Sequence, residues 1–194
     1  MTTLPRVSVF LGLSLDGYLA RDDHGLDWLE IVQTDPPEDT GYAHLMASVD
    51  ALVIGRSTYD VVTSFPTWPF TGKRVVVLTR RPLDARHGEE AAQGDLTALL
   101  ERLAHDGVRH VYLDGGDVVR QGLRAGVVSD LTLSWVPIVL GSGVALFERG
   151  LPERVWRLAG SRAFPSGLMQ ATYHRREQGH CTEQGSREEQ ARPA

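Results

Sequence analysis

The chain of 194 residues is almost without cysteine, with Cys181 its only thiol. One thiol supports neither a disulfide framework nor a cysteine zinc site. Lysine is as scarce. Lys73 stands alone among 20 basic side chains, and arginine supplies the rest. That bias reads as codon usage, and no function is drawn from it. The net charge is −5, so the basic face of a general nucleic-acid binder is not expected. No apolar run reaches the roughly 20 residues of a membrane span. The start, M-T-T-L-P-R-V, has no signal-peptide pattern, which makes the cytoplasm the expected location. The seven histidines show no ligand spacing and are expected on the surface, and no metal site is expected. A G-x-G-x-x-G fingerprint, a complete P-loop and H-E-x-x-H are all missing.

What is present is ordinary globular material: 42% hydrophobic and 23% charged residues, enough for one domain with a full core. Residues 6–15 read as a strand closed by the turn signal Asp16-Gly17. A polar loop follows over 21–39, then a helix over 42–49 with Leu45 and Met46 on one face. Residues 50–54 read as a buried strand and 57–63 as a helix. The R-V-V-V-L run at 74–78 is continuously apolar, as suits a parallel strand covered on both faces. Leu96, Leu99, Leu100 and Leu103 fall at helical spacing, with Asp95 as N-cap and Gly107 as C-cap. A strand over 108–113 and a helix over 118–125 complete the alternation, which implies βαβ units. After Asp130 the segments 131–139, 144–147, 155–164 and 168–175 are strand-like without intervening helices, so the sheet is expected to end in antiparallel strands. Residues 1–175 form the expected domain. Residues 176–194 are polar, almost free of aliphatic side chains, and read as a disordered tail.

The stretch V-Y-L-D-G-G-D-V-V at 111–119 carries the most chemistry. A strand ends in two glycines and a helix follows. Without Cβ atoms, Gly115 and Gly116 would let an anion approach the N–H groups that open the helix. A second such junction is I-G-R-S-T-Y at 54–59. S-L-D-G-Y-L-A at 14–20 and V-V-L-T-R at 76–80 also sit at strand ends. In an open α/β sheet that edge binds ligands. Arg56 and Arg80 could reach one phosphate. Asp60, four residues after Arg56, is expected to face away.

These motifs, in this order, resemble the dihydrofolate reductase-like family over about residues 5–175. The closer likeness is to its branch containing the riboflavin-biosynthesis reductase domain and its bacterial relatives. The resemblance implies a three-layer α/β/α fold with a mixed sheet, mainly parallel, ending in antiparallel strands. It implies an NADPH site. Leu19 and Ala20 match the segment beside the nicotinamide. Gly55, Arg56 and Thr58 match the helix start at the pyrophosphate and the adenosine 2′-phosphate. Thr79 and Arg80 match the strand end beside the adenosine. Gly115, Gly116, Asp117 and Val118 match the glycine pair and helix start under the pyrophosphate. Asp16 is the candidate for orienting substrate or relaying a proton, and Asp27, beside Trp28, is the second. Relatives with this ending commonly pair, so a homodimer on the late strands, holding Trp135 and Trp156, is expected.

The chain also departs from its relatives. Riboflavin reductases carry an arginine-containing stretch after G-R-x-T that helps hold a ribosyl phosphate. Here that region reads Y-D-V-V-T-S-F-P-T-W-P-F, with no arginine between Arg56 and Arg74. The Pro-Trp pair of dihydrofolate reductase is replaced by Leu26-Asp27-Trp28-Leu29. By resemblance, the expected function is NADPH-dependent reduction of a small heterocycle, pterin- or aminopyrimidine-like, of the 5-amino-6-(5-phosphoribosylamino)uracil reductase type. A non-catalytic nucleotide sensor keeping the fold is the alternative.

Overall fold

The computed structural model describes residues 3–176. In chain order it holds strands β1 (Arg6–Ser14) and β2 (Tyr18–Ala20), helix α1 (Tyr42–Ser48), strand β3 (Ala51–Gly55) and helix α2 (Arg56–Val62). Strands β4 (Arg74–Leu78) and β5 (Glu90–Ala92) precede helix α3 (Leu96–His105), strand β6 (His110–Asp114) and helix α4 (Gly116–Ala125). Strands β7 (Asp130–Val136), β8 (Val144–Ala145), β9 (Trp156–Ala163) and β10 (Met169–Arg175) close the chain.

Eight strands form one sheet in the order β5-β4-β3-β6-β1-β7-β10-β9. From β5 to β7 every pairing is parallel, and β10 runs antiparallel to both β7 and β9. The architecture is the expected three-layer α/β/α sandwich. Its layers follow from side-chain alternation along the strands. Val53, Val76, Val111 and Leu113 pack with the leucines of α3 and the valines of α4. Their neighbours Leu52, Ile54, Val75, Val77 and Tyr112 pack on the other face with Tyr59 and Val62 of α2 and with Leu45 and Met46 of α1. Asp95 caps α3 as expected, accepting from the Ala98 N–H at 3.0 Å.

Four details differ from the sequence expectation. Strand β5 adds an edge that its short Glu-Ala-Ala sequence does not announce. The apolar segment 144–147 does not join the main sheet. Its first two residues form β8, which pairs with β2 in a separate ribbon. The loop at 21–39 contains a 3-10 turn over Asp27–Val32 that buries Trp28 to 2% exposure. Helix α2 begins at Arg56 itself. The expected tail lies outside the described residues, apart from Arg176. Among the described residues, no helix is long and apolar enough to cross a membrane.

Candidate active site

The carboxyl ends of β1, β3 and β6 open into a cleft of about 540 Å³. Because β1 lies next to β6, and β6 next to β3, three strand ends far apart in sequence share one wall. The β2–β8 ribbon closes one side with Leu19, Ala20 and Val144.

Gly115 and Gly116 form the floor at one part of the cleft. Gly115 has φ +94, a conformation that disfavours a side chain, and a Cβ there would lie 2.1 Å from the Thr58 hydroxyl oxygen. A Cβ on Gly116 would lie 2.9 Å from the Arg120 guanidinium and 3.2 Å from Leu19. Gly115 is therefore required where strand, helix and ribbon converge, whereas a Cβ on Gly116 would meet only the movable ends of Arg120, Leu19 and Val144. Helix α4 starts at Gly116, and no side chain caps it. The first N–H groups of a helix have no partner within it, so these donors open beside the cleft. Val118 is buried and packs against Gly55, so its side chain joins α4 to β3.

The other part of the cleft is aromatic. The rings of Phe10 and Tyr42 lie 5.5 Å apart and those of Tyr42 and Tyr112 6.3 Å apart. Phe65 and Phe70 continue the wall. Asp114 stands between the two parts. Its Oδ1 accepts the Gly115 N–H at 2.8 Å. Burial among these side chains pushes its carboxyl up to about 6, against the pull of that hydrogen bond. Burial also raises the Tyr42 phenol to about 12, and the negative charge of Asp114 adds to the effect.

A smaller, polar cleft of about 450 Å³ adjoins the first, sharing Asp117 and Arg120 with it. Thr79, Arg80, Gln93 and Gly94 line it. The Thr79 hydroxyl already accepts the Arg81 N–H at 3.1 Å, so it braces the turn after β4.

Leu19, Ala20, Gly55, Thr58, Gly115, Gly116 and Asp117 thus meet in the main cleft, and Thr79 and Arg80 in its neighbour. Arg56 lines neither. Its guanidinium donates to Asp60 at 2.7 Å and to the Pro82 carbonyl at 2.7 Å. The expectation that Asp60 faces away is corrected here. Four residues along a helix is one turn, which places the two side chains on the same face. Asp60 also meets Arg81 at 3.4 Å.

The two catalytic candidates from sequence, Asp16 and Asp27, are placed outside the lining of the cleft. Asp16 is a turn clamp. It accepts from the Ser14 hydroxyl at 2.6 Å and from the N–H groups of Leu140 and Gly141 at 3.1 and 2.7 Å. Chiefly the Ser14 bond lowers its carboxyl to about 2. A carboxylate so strongly ionised and so fully engaged is a poor proton relay. Asp27 is exposed and forms a two-pronged pair with Arg21 at 2.7 and 2.9 Å. Asp114, which does line the cleft, was visible in sequence only as the residue before a glycine pair.

His110 also departs from the expected surface position. It is buried, and its Nε2 lies 2.7 Å from the Ser8 hydroxyl. It starts β6, at the opposite end of that strand from Asp114. Burial lowers its pKa, which fits a neutral packing histidine.

Residues 5–170 match the RibD C-terminal domain. The chain belongs to that family. It is 29% identical over 160 residues to the uncharacterized protein YwjB of Bacillus subtilis (strain 168), covering 80% of this chain and 90% of that one. Among solved structures, it superposes on a Shewanella sp. PV-4 protein named for riboflavin biosynthesis with TM-score 0.83 and 34% identity. That match covers 89% of this chain and 99% of the other. The fold alone is shared with a Thermotoga maritima diaminohydroxyphosphoribosylaminopyrimidine deaminase/5-amino-6-(5-phosphoribosylamino)uracil reductase, at TM-score 0.66 and 14% identity. The match covers 89% of this chain and 57% of that longer one. Within the RibD C-terminal domain family, this chain keeps the fold of reductases and presents an aromatic cleft wall.

Proposed function

We propose that this protein is a reductase of a small heterocycle that takes NADPH as its reductant. The observation that carries the reading is the glycine floor of the cleft, where no side chain stands and the uncapped start of α4 opens beside an apolar pocket. That floor fits a pyrophosphate, which needs close backbone approach and N–H donors. In this reading Gly115, Gly116, Asp117 and Val118 hold the pyrophosphate together with Gly55 and Thr58. Leu19 and Ala20 flank the nicotinamide, while Arg56, Thr79 and Arg80 stand at the adenosine end. When bound, the cofactor supplies the hydride.

The chain's own contribution is position, dryness and one proton site. The β2–β8 ribbon and the aromatic wall keep water from the inner cleft. Asp114 lines the inner cleft, and its raised proton affinity suits it to hold a substrate edge and to exchange a proton with it. Asp16 and Asp27 support loops in this reading and touch no substrate.

The test is loss of NADPH absorbance on mixing the protein with a panel of pterins and aminopyrimidines. Turnover of at least one, abolished by blocking the glycine floor with Gly116→Val, is expected. NADPH binding without turnover on the whole panel would instead favour a nucleotide sensor.

A further inference from the structure

The aromatic part of the cleft has the walls of a ring-binding pocket and, away from the α4 start assigned to the cofactor, no described side chain free to hold a phosphate. Phosphate recognition in proteins relies on arginine forks, lysines or helix N-termini. Among the described residues, the only lining side chains able to carry positive charge are Arg120 and His24. Arg120 is already held by the Ala145 carbonyl, Asp117 and Glu148. A single imidazole does not replace a fork. The walls are instead Phe10, Tyr42, Phe65, Phe70 and Tyr112, whose rings offer faces and edges to a flat partner.

One polar group interrupts this wall. Asp114 lines the cleft, and its Oδ1 has the Gly115 N–H. Its Oδ2 receives no hydrogen bond from the described residues. That oxygen opens on the cleft, where it can take an N–H from a ligand in place of water. A ligand that supplies a phosphate adds repulsion, because both groups carry negative charge.

We infer that the substrate of this cleft is an unphosphorylated planar heterocycle, stacked on the Phe10–Tyr42–Tyr112 wall and held through an N–H-bearing edge by Asp114. The inference rests on reading the cleft as the reductase's substrate pocket, and it names that substrate's class. It sets the protein apart from the phosphoribosyl-bearing compound in the name of the Thermotoga enzyme.

Calorimetric titration, without cofactor, tests this with three probes: 5,6-diaminouracil, 2-aminopteridin-4-one, and 5-amino-6-(5-phosphoribosylamino)uracil. At least one unphosphorylated ring is expected to bind at least 10-fold more tightly than the phosphoribosylated compound. Asp114→Asn is expected to weaken that ring by about 10- to 100-fold, the range of a lost hydrogen bond to a charged group. Phe65→Arg, which places a cation on the wall, is expected to improve the phosphoribosylated probe and leave the fold intact by circular dichroism. Tighter binding of the phosphoribosylated probe by the wild type overturns the inference. So does unchanged ring affinity in Asp114→Asn, or no binding of either ring at millimolar concentration. NADPH is titrated separately. Ring binding without NADPH binding refutes the reductase reading and leaves this inference standing, whereas NADPH binding without ring binding does the reverse.

Discussion

Two carboxylates carry the residue-scale consequences. Asp114 holds its proton to about pH 6 in the folded protein, while an ordinary aspartate loses it near 3.8. The native state therefore binds more protons than the unfolded chain between these values, and it loses stability as pH rises through that window. A tenfold change in proton affinity corresponds to about 1.4 kcal/mol, and the side chain is only half-buried, so the penalty at pH 7 is about 1–3 kcal/mol. Asp114→Asn should raise the melting temperature at pH 7.5 and flatten the fall in stability between pH 4 and 6. A variant that melts lower at pH 7.5 would show that the charged carboxylate is stabilised in some other way. Asp60 acts in the opposite region. It engages Arg56 at 2.7 Å and Arg81 at 3.4 Å, so it competes with any phosphate for both guanidinium groups. Asp60→Asn should tighten NADPH several-fold and leave NADH unchanged. Arg56→Ala should weaken NADPH by about 10-fold, within the range of one charge-assisted hydrogen bond. Equal effects on NADH and NADPH would move these residues from the 2′-phosphate to the pyrophosphate or to the fold.

At the scale of elements, the site depends on the β6–α4 junction. Gly115→Ala places a Cβ against Thr58 at a φ of +94, and strain of this kind destabilises by about 1–3 kcal/mol. We expect a lower melting temperature and a weaker cofactor together, measured by thermal unfolding and by titration. Gly116 has room for its backbone but not for a large side chain. Gly116→Val should weaken the cofactor while the protein still folds. The strand–Gly-Gly–helix geometry of this junction was legible in the sequence, because an apolar run, two glycines and a helical pattern follow one another there; a glycine pair alone also fits a plain βα turn, and the matching junction at 54–59 is what pointed to a ligand. The parallel strands were legible for a similar reason, since burial on both faces leaves runs such as Val75-Val76-Val77 without polar interruption. Strand β5 was not legible, because an edge strand of Glu-Ala-Ala carries no such run. The partner of Val144 was not legible either. An apolar segment declares burial and is silent about which strand it meets. Asp114 gains its meaning from Tyr42 and Tyr112, and no local pattern announces that neighbourhood. The Arg56–Asp60 pair was misread although its i,i+4 spacing was in plain view, and it shows how a local rule outweighs a functional expectation.

At the scale of the molecule, the late strands present an unfilled surface. Strand β9 lies at the sheet edge, and Val155, Leu158 and Met169 around it are 60%, 53% and 51% exposed. These residues are spread along the edge, with Met169 opposite Ala163 at one end and Val155 at the other, and an edge strand without a partner favours association. We propose that this face joins two copies of the chain, and light scattering at micromolar concentration should give the dimer mass. Leu158→Asp should give the monomer. A wild type that is monomeric at that concentration refutes the pairing.

We propose above all that the glycine floor is a nicotinamide-cofactor site. Calorimetric titration of the wild type and of Gly116→Val with NADPH tests it most directly. The expected result is one saturable site per chain in the wild type and at least a 10-fold weaker site in the variant, which retains its circular dichroism spectrum. No saturable binding of NADPH or NADH to the wild type, or equal affinity in the two proteins, would contradict it.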